Sequence, residues 1–465
     1  MKNALAIAPL LTVSRLRSRR GDAWLDLLAV LSFALSTLMA LTVAGGISMF
    51  NELRIDPPDD VVATITSWNV STEQYSVIYD VTGMLTTYLL LAVIAGALLV
   101  FPIFSLGTSA ARLGATGRSQ RLASLRLVGV TGAQTTVMSL VETVVQWLIG
   151  TVTGVAAYFL TLPLWQGISF FGVAIKPSLM ILSPLYIVTV LALLLFLALL
   201  STIAGLQRVR ISPLGVAHRE ISPALRLWRP LIFLAVAIIV FAVWRSSRQN
   251  LMDIGTIIAM VITVLIVIGG ITLVGPWILQ VIAMPLARTR QVSRLLAMRR
   301  ILDDPRAAWR NISGIALLSF IAGFVAVLPS QASDFFFQND ILTGMEITLA
   351  FGFAVAALST LTNQASAIFD RASQTYALTQ VGFPRRVFGL TRAHQVLIPL
   401  LLATLFAGGA GVGLAGLSGG VQPSEGGLFR LGFTIAAGIG LSCSALAACE
   451  PLERHVLASR RRAND

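Results

Sequence analysis

Lysine is nearly missing from this chain: Lys2 and Lys176 stand against 32 arginines. A phosphate-binding loop of the GxxxxGK[ST] kind needs a lysine followed by serine or threonine. These two precede Asn3 and Pro177, so ATP is not hydrolysed here by that device. Cysteine is as scarce. Cys443 and Cys449 lie six apart in one apolar stretch, which makes no disulfide framework and supplies too few ligands for a zinc site. They read as packing residues. His218, His394 and His455 are scattered without metal-ligand spacing, and no HExxH, Ser/His/Asp set or paired aspartates stand within the apolar blocks. Charge is low too, at 12% of residues, about half the ~25% of a soluble domain. These gaps leave no catalytic constellation and exclude a soluble enzyme and a disulfide scaffold.

What remains is apolar. Hydrophobic residues make up 56% of the chain and mean hydropathy is +0.83, which also excludes a disordered protein. Blocks of about 20 apolar residues, each long enough to cross ~30 Å of hydrocarbon, recur from end to end. They predict an all-α polytopic membrane protein with ten transmembrane helices, over 24–50, 81–106, 135–164, 181–206, 230–244, 254–274, 312–328, 341–362, 396–417 and 429–449. The fifth block is short, and the sixth has apolar sequence running on towards Leu286.

The arginines orient these spans. With both termini cytoplasmic, the inner segments hold 29 of the Lys and Arg residues, and the outer ones hold only Arg54, Lys176, Arg245, Arg248 and Arg430. That is a strong positive-inside bias. It accounts for the formal charge of +13 without a nucleic-acid partner and makes the lipid bilayer the chain's surroundings. The longest outer loop, 51–80, is acidic. It has room for a small strand or turn around 61–65 but not for an independent domain.

The inner segments repeat. Arg15 is followed at eight and nine residues by Ala23-Trp24, and Arg300 at the same spacing by Ala308-Trp309. Thr82-Gly83-Met84 opens span two and Thr343-Gly344-Met345 span eight; Pro213-Leu214 follows span four and Pro451-Leu452 span ten. The expected layout is two parallel four-span repeats joined by a two-span insert. A surface helix over 1–23 leads into a first unit over 24–206, with its outer loop at 51–80 and an inner segment at 111–134. A linker with two spans follows over 207–286, then a second surface helix over 287–311. The second unit covers 312–452, with its inner segment at 371–391, and a basic tail occupies 453–465.

Within 111–134, Leu122, Leu125, Leu127 and Val128 approximate one apolar helical face ended by Gly129 and Gly132. The expectation is a short amphipathic helix, resting on headgroups or docking a cytoplasmic subunit. The stretch Gln120-Arg121-Leu122-Ala123-Ser124-Leu125-Arg126-Leu127-Val128-Gly129-Val130-Thr131 resembles the signature of FtsX-like (MacB-type) ABC transporter permeases, in which a basic run and Leu-Arg-x-x-Gly-Ala-Thr follow the second span of a four-span unit. Glu142 stands where that family usually has an acidic residue. The second copy keeps Gly382 and has Gln395 in place of Glu142.

The resemblance covers both four-span units and implies a permease of a bacterial cytoplasmic membrane. It would be driven by two copies of a cytoplasmic ABC ATPase, with ATP and Mg in those subunits and no cofactor in this chain. Arg121, Leu125, Arg126, Gly129, Leu378 and Gly382 would belong to the ATPase-contacting segments. With both units in one chain, no permease homodimer is required. Family members that move lipoproteins carry a large outer domain, which the short loops at 51–80 and 331–340 leave no room for. An amphiphilic peptide, lipid or drug is the expected cargo; the alternative is mechanical control of an outer cell-wall hydrolase or sensor. A secondary transporter is disfavoured because the spans carry few charges for ion coupling. Glu142, near the inner end of span three, is the most prominent intramembrane charge; its readings are a bond to Arg126 or a backbone amide, a part in transmitting ATPase motion, or substrate or proton binding. Asp80 and Glu346 form a candidate outer vestibule.

Overall fold

The computed structural model describes residues 22–71, 81–127, 131–210, 228, 230–232, 235, 238, 254–326, 335–419 and 425–464. The chain is an all-α polytopic membrane protein. Among the described residues, nine helical segments are long and apolar enough to cross a membrane; eight fall on expected blocks, and the ninth, 269–286, meets only the end of the block at 254–274 and lies on the apolar sequence running on towards Leu286. The remaining block, 230–244, lies mostly outside the described residues. Helix is the expected outcome, because a lone segment in hydrocarbon has only its own carbonyls to satisfy its amides.

Four long helices come first: α1 (Asp22–Ile55), α3 (Val81–Leu127), α4 (Gly132–Thr161) and α5 (Pro184–Arg210). A short helix α2 (Asp59–Ser71) follows α1, and a hairpin of β1 (Ser169–Phe170) and β2 (Val173–Ala174) lies between α4 and α5. Next come α6 (Ile254–Leu286) and α7 (Val292–Asp303), then a second set of four: α8 (Pro305–Val325), α9 (Phe335–Asp370), α11 (Arg385–Gly419) and α12 (Glu425–Asn464). The short α10 (Ala372–Gln380) separates α9 from α11.

In the first set, α1 packs along α3 and α4, while α3 and α4 each pack on α5. In the second, α8 packs along α11 and α9, while α9 and α11 each pack on α12. The sets meet chiefly where α3 lies against α9, and α6 fills in beside α8 and α3. Side chains facing away from these contacts are apolar, among them Val152, Leu185, Val188, Phe196, Leu405 and Phe433, all exposed. Such a belt suits lipid.

Glycine sets the two closest crossings. A Cβ at Gly154 of α4 would lie 2.6 Å from the Ala34 carbonyl oxygen of α1. One at Gly411 of α11 would lie 2.7 Å from the Phe324 nitrogen of α8 and nearer still to the Phe320 carbonyl oxygen. Backbones approach this closely only where side chains are absent.

Three details differ from the sequence expectation. The region 61–65 is helical, within α2, whose Val61 and Ile65 are buried against Phe50, Leu53 and Phe170; Asp59 and Asp60 in its first turn favour a helix start. The segment after span two is not a separate helix, because α3 runs unbroken to Leu127. No proline interrupts 107–127, and 47 residues make a helix of about 70 Å, far longer than the hydrocarbon needs. The surface helix expected over 287–311 is shorter. α7 ends at Asp303, where Asp304 turns the chain and caps α8 by accepting from the Ala307 amide at 3.0 Å, with Pro305 in the first turn.

Candidate functional site

The seam between the two sets is bonded at its ends and apolar between. At the hairpin end, Asp340 at the start of α9 is buried. Its Oδ2 accepts from the Tyr88 hydroxyl of α3 at 2.7 Å and from the Phe171 amide of the hairpin turn at 2.8 Å. One carboxyl oxygen thus ties the second set to two elements of the first. The hairpin pairs Phe170 with Val173, and both residues between them have positive φ, Phe171 at 57° and Gly172 at 71°. That is a type I′ turn. A bulky residue is rare in this conformation, which costs an L-residue about 1–2 kcal/mol. Phe171 is held there by its bond to Asp340 and by its buried ring, centred 4.1 Å from that of Tyr88. Phe50 and Phe170 complete the cluster, with centroids 5.3 Å apart.

Below this clasp the seam is apolar. Val355 of α9 packs among Met39, Leu99, Ile103 and Leu106, and Phe351 meets Trp165 edge to face. Towards the arginine-rich end it becomes polar again. The Ser109 hydroxyl donates to Asn363 Oδ1 at 3.1 Å. A cleft there is lined by Pro102, Ser105, Arg310, Asn311, Gly314 and Ser359. Pro102 withholds an amide from its own helix at this point.

Within the first set, a buried polar cluster joins α1, α4 and α5. The Gln146 side-chain amide donates to Asp26 Oδ1 at 2.8 Å, and the Thr143 and Thr202 hydroxyls lie 3.1 Å apart. Glu142 is buried one turn before Gln146. Spacing from the matched tryptophans places Asn311 where the first set has Asp26, just as Gln395 stands opposite Glu142. The matched tryptophans themselves diverge: Trp24 is 56% exposed, whereas Trp309 is 6% exposed beneath α6.

The segment 371–391 carries a short helix, α10, of the kind expected at 111–134. α10 ends with the Gly382 amide donating to the Thr379 carbonyl and the Phe383 amide to the Leu378 carbonyl, both at 3.1 Å. This is a Schellman cap, with Gly382 at φ 90° in the position that glycine fills best. Leu378 is half-buried on α10, while Val381 beside the cap is 82% exposed. In the first copy Arg121, Leu125 and Arg126 lie on α3 with their side chains outside the description, and Gly129 lies outside the described residues. So does Asp80. Glu346 is exposed on α9, off the seam; the buried acid at this end is Asp340, which sequence reasoning left in the loop. Asp26 was missed as well.

Comparison of the chain with protein-family models, and with curated proteins, returned no match.

Proposed function

We propose that this chain is the membrane-spanning permease of an ATP-driven ABC-type transporter of the FtsX-like kind, exporting an amphiphilic or hydrophobic cargo from a bacterial cytoplasmic membrane. Its two four-span units, α1 to α5 and α8 to α12, are parallel repeats joined by a two-span insert of which α6 is the second member. The arginine-rich end faces the cytoplasm and the hairpin end faces outward. Two ATPase subunits, carrying ATP and Mg, bind beneath the units at 111–134 and 371–391.

One observation carries this reading: the helices of the two sets pack in the same order, first on third, first on second and second on fourth, and the sets meet through their second spans. Two like halves joined at a narrow seam are what rocking between two states requires. The α10 cap adds support, since an exposed Val381 on a short helix with a fixed glycine turn is a knob for another protein to grip. Leu125 and Gly129 have the same spacing as Leu378 and Gly382.

The test is purification of the intact chain in mild detergent beside Val381→Asp and Leu125→Glu variants. An ATPase subunit at two per permease, retained by the intact chain and lost from either variant, is the expected result. Intact permease that brings down no nucleotide-binding partner even after crosslinking in membranes would sink the assignment.

The second reading, mechanical control of an outer hydrolase or sensor, has its own support. The first set carries a folded cap of α2 and the hairpin, with a small apolar recess between Met49, Leu53, Val61 and Phe170. Deleting 59–71 separates the two: export survives that loss in a transporter, while partner control does not survive it in a signalling device.

A further inference from the structure

At the arginine-rich end of the second set, α7, α9, α11 and α12 surround a cleft that the transport reading leaves unused. Arg300 of α7, Arg371 at the start of α10 and Arg392 of α11 all line it, with Gln364, Gln395 and Glu453. Only one of these guanidinium groups has an acidic partner among the described residues, the Arg392–Glu453 pair. Glu450 close by is engaged by Arg454 at 2.5 Å. Among the described side chains, the cleft therefore gathers about two more positive charges than negative ones around its open space. Burial lowers the Arg300 guanidinium to about 10, with Arg371 and Arg392 pushing the same way.

Gathering unpaired cations in a half-buried place is expensive unless an anion joins them. Guanidinium groups are the preferred donors to phosphate, which they meet with paired N–H bonds. The cleft also has an apolar side, formed by Ile368, Phe388 and Val456. It sits where three spans end: the apolar part of α9 stops at Phe369, that of α11 starts at Arg386, and that of α12 stops at Arg454. Basic pockets between helix ends at this depth suit a phosphate headgroup whose chains lie in the bilayer.

We infer that Arg300, Arg371 and Arg392 form a binding site for a phosphate oxyanion, supplied by the headgroup of an anionic phospholipid or by free phosphate. The site stands whether or not the chain is a transporter, since it rests on this cluster alone.

The experiment uses the full chain in a neutral maltoside detergent and follows its thermal unfolding as each probe is titrated. The probes are phosphatidylglycerol, phosphatidylcholine, and inorganic phosphate against chloride at matched ionic strength. The variants are Arg371→Gln, at the cleft's rim, and Arg300→Gln/Arg371→Gln. Arg290→Gln, exposed at the same end and outside the cleft, controls for general surface charge.

The expected result is a half-saturating phosphatidylglycerol concentration at least tenfold below that of phosphatidylcholine, raised about tenfold or more by Arg371→Gln and unchanged by Arg290→Gln. Competition by inorganic phosphate would assign the site to oxyanions generally; its failure to compete would assign it to the lipid headgroup. The proposal is overturned if phosphatidylglycerol does no better than phosphatidylcholine and phosphate no better than chloride, which would leave an acidic protein partner for the cluster. Equal weakening by Arg290→Gln and Arg371→Gln overturns it too.

Discussion

Tyr88→Phe removes one oxygen atom from the seam and leaves the ring that stacks on Phe171. The lost bond runs from a hydroxyl to a buried carboxylate, at 2.7 Å. Hydrogen bonds to charged groups contribute about 1.5–3 kcal/mol, so opening of the clasp should rise by roughly 10- to 150-fold, at about 1.4 kcal/mol per factor of ten. Asp340→Asn supplies the second arm. Both donors use the same oxygen, Oδ2, which an asparagine carbonyl replaces without changing shape. It loses only the charge assistance, so the Tyr88 bond falls to the neutral range of about 0.5–1.5 kcal/mol. In the Asp340→Asn background, Tyr88→Phe should therefore cost only about 2- to 12-fold. Amide exchange over 168–176, which contains the Phe171 amide held by Asp340, reads the opening directly. If the two substitutions add, with Tyr88→Phe accelerating exchange equally in both backgrounds, the clasp is not a coupled unit. The argument for a bonded seam end then fails.

The glycine crossings make a second test. Gly411→Leu forces a side chain against α8 backbone that cannot step aside and should destabilise by at least about 1–3 kcal/mol, while Gly409→Ala, with nothing within 4 Å, should be close to neutral. Thermal unfolding in detergent compares them, and equal effects would refute the packing. Gly382→Val places a β-branched residue at φ 90° and should fray the end of α10 at a cost of about 1–2 kcal/mol, read as faster amide exchange at Gly382 and Phe383. On the cap of the first set, Asp60 meets Lys176 at 3.3 Å, and this hydrogen bond holds its carboxyl below the usual range. A carboxyl whose folded pKa is depressed adds stability above the unfolded value of about 3.9 and loses it as pH falls through the folded one. Protection of α2 should accordingly fall at acid pH, and Lys176→Met should shrink that step, leaving the part owed to the Val61 amide, which also donates to Asp60. Both side chains are about half exposed, so salt should shrink the effect; a step unchanged by Lys176→Met would refute the pairing.

The spans were legible because hydrocarbon imposes one rule, a run of apolar residues long enough to cross, and α1, α3, α9 and α11 meet it without exception. The ends of helices were less legible, since beyond the hydrocarbon the rule stops applying. Nothing in 107–127 marks a boundary, and α3 simply continues through it. At 303–305 the signals were present and short-ranged: Asp304 followed by Pro305 is an N-cap and first-turn pair, outweighed in the sequence reading by the apolar run that starts at Ile312. The region 61–65 was misread because Val, Ile and Thr favour strands, while two aspartates at the helix start and burial of Val61 and Ile65 favoured the helix.

The clasp was within reach of helical arithmetic. At about 100° per residue, Asp340, Ile347, Phe351 and Leu358 fall on one face of α9, the face that meets the first set, and Glu346 falls roughly a third of a turn away. The sequence reading named Glu346 and left Asp340 in the loop, because a carboxylate at a span's edge can be buried by a neighbouring hairpin that the sequence does not announce. The same reasoning separates the two halves. Asp26 and Glu142 are buried among the polar side chains of α4 and α5 in the first set, whereas the second has Asn311 and Gln395 at the matched places and collects arginines instead. The second set thus lacks both acids and gathers arginines in excess of its described acids at the same end. The halves therefore share a packing plan without sharing an electrostatic one, and a ligand or a motion that senses charge will distinguish them.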